Sequence, residues 1–115
     1  METIEILEHR YRELAEAHGA ATLSGDYKRA SKSHDALIAT LLELRIHGSS
    51  YEAALKRLMA DPNASVAGWA ATHSLPFAEA EALAVLKGLS NGTGPVAFGA
   101  GIVIQQWNKG QLVLP

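Results

Sequence analysis

The chain has 115 residues, 48% hydrophobic, 19% charged and 6% aromatic, which is enough for one core and excludes two independent ones, so positions 1–115 read as one domain. A formal charge of −2 excludes a bulk electrostatic drive toward nucleic acid or an acidic membrane, and the absence of cysteine excludes disulfides and thiolate chemistry. The opening stretch METIEILEHRYREL carries acids and no continuous apolar run, so it predicts neither a signal peptide nor a membrane span, and a cytoplasmic setting is the default expectation.

In chain order, Thr3 precedes the apolar stripe of a long first helix. That stripe, Ile4, Leu7, Tyr11, Leu14, His18 and Ala21, recurs at helical spacing, and the helix ends near Leu23. Ser24-Gly25-Asp26 supplies a glycine for a left-handed stop and an aspartate for the next cap. Tyr27, Ala30, His34, Leu37, Leu41 and Leu44 then repeat the stripe, which predicts an antiparallel hairpin of helices one and two. Gly48 closes helix two, and Ser49 with Glu52 gives a capping-box signature for a third helix reaching about Met59. Asp61-Pro62-Asn63 breaks the chain before a fourth helix to about Leu75, whose Val66, Trp69, Ala70 and His73 share one face.

Pro76 fits the first turn of a fifth helix that buries Ala82, Val85, Leu86 and Leu89. After the loop Asn91-Gly92-Thr93-Gly94-Pro95, residues 95–109 carry both strand-favouring Ile102-Val103-Ile104 and helix-weakening Gly99 and Gly101. Val96, Ala100, Val103 and Trp107 recur at helical spacing and a lone strand would have no partner, so a sixth helix is expected, its glycines marking close packing on a neighbour. The expected fold is therefore all-α: an α-α superhelix of about six helices in three antiparallel pairs.

Among the five histidines, His18 and His34 fall at a similar height on either side of the first turn and are expected to face each other. With Asp35 or Glu16 nearby such a pair suggests a metal-dependent protein or enzyme, yet a working site needs three or four converging ligands and no HxxxH or HExxH spacing is present. The simpler reading makes them hydrogen-bonded stripe residues at a hairpin seam. His73 is either a recognition residue beside Trp69 or an interior histidine, with the interior reading ahead. His9 and His47 lie near helix ends, His47 where the helix dipole favours a cation.

Lys28, Arg29 and Lys32 span one turn of helix two and, with Lys56 and Arg57, are the only basic concentration. A phosphate or acidic partner would dock there, although such a cluster is usually a solvated face, and the aromatic interleaving of single-strand binders is missing. No GxSxG, phosphate-binding loop or paired carboxylates appear. The NGTGP segment lacks the strand and lysine of a phosphate loop. Trp69 and Trp107 are core fillers or binding anchors, with core favoured.

The runs GDYKRASKSHDAL at 25–37, DPNASVAGWAATHSL at 61–75 and WNKGQL at 107–112 together make most of the chain resemble a small bacterial family known as domain of unknown function number 2019. DPNASV followed by WAA is also the turn-and-second-helix pattern of HEAT repeats. The resemblance implies a HEAT- or armadillo-like superhelix and supplies no activity, cofactor or catalytic residue; the glycine-rich FGAGIVIQQW stretch departs from the pattern. The expected function is a non-catalytic protein-protein interaction module, an adaptor or toxin-neutralising partner in a bacterial cell. Its contact residues would be Trp69, His73, Trp107 and the basic Lys28, Arg29 and Lys32. No cofactor is implied. A homodimer assisted by the apolar Leu112-Val113-Leu114 is a further expectation.

Overall fold

Polar caps and left-handed glycines cut the chain into helices. In the computed structural model, which describes residues 2–115, Thr3 Oγ1 accepts from the Ile6 N–H at 3.3 Å and opens α1 (Ile4–Ser24). Gly25, at φ 76°, closes it in a Schellman arrangement: its N–H donates to Thr22 O at 3.2 Å and the Asp26 N–H donates to Ala21 O at 2.9 Å. Asp26 then accepts from the Arg29 N–H at 3.2 Å to start α2 (Tyr27–Arg45). Next come α3 (Ser49–Met59), α4 (Ala64–Ser74, capped by Asn63 accepting from the Val66 N–H at 3.1 Å), α5 (Glu79–Ser90) and α6 (Pro95–Asn108). No strand occurs among the described residues.

Consecutive helices pair as α1 with α2, α3 with α4 and α5 with α6. The pairs do not form an open row. The first hairpin touches the last through a contact of α1 with α6, and α4 touches α1, α3, α5 and α6. The Cα radius of gyration, 13.2 Å, matches the roughly 13 Å of a folded domain this size.

Small side chains let α4 occupy that centre. Val66, Ala67, Ala70, Ala71, Thr72, His73 and Ser74 are all buried, so the helix is covered on nearly every side. At its closest approach to α1, a β-carbon added to Gly19 would overlap the Ser65 hydroxyl and lie 2.7 Å from Ser65 Cβ; only glycine fits there. Leu7, Tyr11, Leu37, Leu41, Leu44, Leu55, Val66 and Leu75 fill the interior around this contact. Each contributes about 1.5–3 kcal/mol by leaving water.

Several expectations are corrected. The capping box at Ser49 does not form: Gly48, at φ 59° and ψ −120°, is the N-cap and Ser49 is already helical. Pro76 lies in the turn between α4 and α5, where the Phe77 and Ala78 N–H groups both donate to Ser74 O, so α5 starts three residues later than Pro76, at Glu79. Tyr27 leaves the stripe of α2 and stands 74% exposed. Gly99 and Gly101 face open space where a β-carbon would be; the tight glycine is Gly19. His47 lies beyond the end of α2, in the turn, with its Nε2 buried and without a hydrogen-bond partner among the described residues.

After α6, residues 111–115 run back across the bundle. Leu112 and Leu114 pack on the core, Val113 between them is 90% exposed, and an Arg45 guanidinium N–H donates to Pro115 O at 2.8 Å. Two of the three apolar residues of this segment are thus used within the chain.

Candidate functional site

Trp69, at the middle of α4, gathers the histidines. His18 from α1 meets its ring edge-on at a centroid distance of 5.2 Å, His34 from α2 tilts against it at 5.4 Å, and His73, one turn along α4, lies at 5.5 Å. His18 and His34 face each other as the hairpin register requires, with centroids 6.2 Å apart. The indole is thus in contact with all three imidazoles. Among the described residues no group of three or more His, Cys, Asp or Glu is placed to hold a metal ion, and two imidazoles fall short of the ligand set such a site requires.

His73 is an interior residue, not a surface contact. It is 4% exposed and its Nδ1 shares a hydrogen bond with the Tyr11 hydroxyl at 2.6 Å, the imidazole tautomer setting which of the two donates. Burial first, then the charges of Arg45 and His34, lower its pKa to about 4, while burial and Tyr51 raise that of Tyr11 well above the usual phenol value. The pair is a neutral hydrogen bond in the core, reaching across 62 residues of sequence. His18 is half-buried, and burial followed by the nearby His34 lowers its pKa too.

Trp107 is half-buried and its indole N–H donates to Glu79 at 2.7 Å, tying α6 to the start of α5. Lys28, Arg29 and Lys32 are all exposed, and none of them forms a salt bridge among the described residues. Leu23 and Tyr27, on either side of the Gly25 turn, are 75% and 74% exposed. The tip of the first hairpin thus presents two large apolar side chains beside three unpaired cations.

Trp69 and His18 also line a groove that the sequence did not announce. It has a volume of about 380 Å³ and runs between α1, α4 and α6, and its lining further includes Leu86, Val96 and Val103. No charged side chain lines it. Two threonines of its lining turn their hydroxyls away: Thr22 donates to His18 O at 2.9 Å and Thr72 to Gly68 O at 2.8 Å, which leaves their methyl groups for the groove. Small residues create the space. Gly68, Gly99 and Ala100 stand where larger side chains would fill it. The signal was the same glycine-rich α6 segment that suggested close packing, and only the positions of three helices reveal that it opens a gap.

Comparison of the chain with protein-family models, with curated proteins and with solved structures finds no match. No helix among the described residues is long and apolar enough to cross a membrane.

Proposed function

We propose that the chain is a non-catalytic protein-binding module, built as a HEAT-like succession of helical hairpins, that docks an acidic partner surface on the tip of its first hairpin. One observation carries this reading: Leu23 and Tyr27 stand exposed beside Lys28, Arg29 and Lys32, which have no acidic partner among the described residues. Exposed apolar side chains next to unpaired charge of one sign are what a complementary interface uses, the apolar groups for affinity and the cations for approach and orientation. The three successive pairs and the resemblance of 25–37, 61–75 and 107–112 to the domain-of-unknown-function family support the hairpin architecture and are silent on the partner.

The test is capture of partners from a native lysate by the wild type and by the Lys28→Glu/Arg29→Glu/Lys32→Glu variant, at low and high salt. A partner held by the wild type, weakened by salt and lost from the variant is the expected result. Identical retention by both proteins, or nothing retained by the wild type, would overturn the reading. Thermal melting of the variant controls for folding. All three positions are solvent-exposed, so it should melt within a few degrees of the wild type.

A further inference from the structure

We propose that the groove between α1, α4 and α6 is a binding site for a small uncharged molecule: an apolar two-ring compound carrying one hydrogen-bonding group, which His18 recognises.

Size, lining and rigidity each contribute. The volume of about 380 Å³ lies within the roughly 300–1,000 Å³ of small-molecule sites and equals on the order of a dozen water molecules, which suits a two-ring compound and is small for a drug-sized ligand. The walls are aliphatic and aromatic, from Trp69, Leu86, Val96 and Val103, and no cation or carboxylate is present to balance a charge. A charged ligand would lose its hydration there without a counter-charge, whereas a neutral one gains the burial of its apolar surface. With the Thr22 and Thr72 hydroxyls bonded back to their own helices, the polar side chains left to a ligand are the Ser65 and Thr93 hydroxyls and the His18 imidazole, and of these His18 is the ring that packs on Trp69. Its half-burial and the neighbouring His34 favour the neutral ring, able to donate or to accept one hydrogen bond. Trp69 is clamped by His18, His34 and His73, so the flat wall against which a ring would lie is already fixed before any ligand arrives.

Gly99 makes the site testable without damaging the fold. It lines the groove, sits within α6, and a β-carbon there meets nothing within 4 Å, so Gly99→Leu fills the groove from an unstrained helical position. The probe is 1-naphthol, titrated into the intact chain and followed by amide and indole shifts in NMR, with 1-naphthoate as the charged control. Expected are shifts confined to Gly68, Trp69, Val96 and Val103, and binding at least about tenfold weaker for naphthoate and for Gly99→Leu, with unchanged far-UV circular dichroism. His18→Phe keeps a ring in the wall and removes its hydrogen bond, so it should lower the preference for naphthol over naphthalene. Lys28→Glu/Arg29→Glu/Lys32→Glu should bind naphthol as the wild type does, because Leu23 of the hairpin tip lines the groove and none of the three cations does. No saturable shift at millimolar naphthol, shifts centred elsewhere, equal binding by naphthoate, or undiminished binding by a folded Gly99→Leu would each overturn the proposal.

Discussion

Residues 4–75 and residues 79–108 face the same task, the covering of apolar helical stripes, with different material. The first region brings Leu7, Tyr11, Leu37, Leu41, Leu44, Leu55, Val66 and Leu75 to full burial, whereas the second contributes only Leu86 among the largest fully buried side chains. In α6 the inward positions belong to Ala97 and Ala100, and Phe98 turns outward, 72% exposed. Four helices thus make a filled interior, and the last pair leans on it across an unfilled gap. The comparison shows that the groove belongs to the sequence itself: it follows from glycine and alanine at positions where leucine would have closed the core. Stability resides mainly in the first region, and space for a ligand in the second.

The largest expected contrast comes from truncating one side chain in each region. Leu41→Ala should lose about 2–5 kcal/mol in urea unfolding, because the tight surroundings cannot collapse onto the cavity, while Val103→Ala at the groove should lose about 1 kcal/mol. Equal losses would mean that the two regions are packed alike.

The second contrast is with pH and belongs to the Tyr11–His73 pair. The folded pKa of His73, about 4, lies below its ordinary value of 6.5, so between these the unfolded chain binds more protons. The stabilisation is full above pH 6.5 and is lost as pH falls through the window, by about 3 kcal/mol at pH 4. Denaturant midpoints from pH 4 to 7 should show this slope in the wild type and a much flatter one in His73→Gln; the same slope in both would remove His73 as its source.

The smallest contrast sets one helical glycine against another. Gly99→Ala should stabilise by about 0.5–1 kcal/mol, since the helix gains propensity and the new methyl enters open space. Gly19→Ala has the same propensity gain but collides with Ser65, and a net loss of about 1–2 kcal/mol is expected, recovered when Ser65→Gly is added. Calorimetry on the four proteins checks the signs. A stabilising Gly19→Ala would show that α1 and α4 are not in such close contact.

Much of this architecture was legible because it is local. Asp26 and Asn63, polar residues placed just before a helix, act as its caps, Gly25 makes the expected left-handed stop, and the histidine pair of the first hairpin meets because register follows from turn position. Stripe spacing also chose helix over strand for residues 95–109 correctly, in spite of Ile102-Val103-Ile104. What stayed hidden depends on distance in space. The Tyr11–His73 hydrogen bond joins positions 62 residues apart, and a glycine in a helix reads the same whether it faces a neighbour, as Gly19 does, or a void, as Gly99 does. Local competition caused the other misses: Gly48 took the capping role from Ser49, and the turn closing on Ser74 O absorbed Pro76.

The contact of α1 with α6 has a bearing on how the molecule comes apart. In a linear array the outermost units can fray while the middle holds, because each is bonded to one neighbour only. Here the first and last hairpins also meet each other, and Arg45 at the end of α2 grips the backbone at Pro115, so the arrangement is closer to a ring than to a ladder. Neither outer hairpin can peel away without breaking a second seam, so the expected consequence is that the six helices share a common fate and melt in one transition.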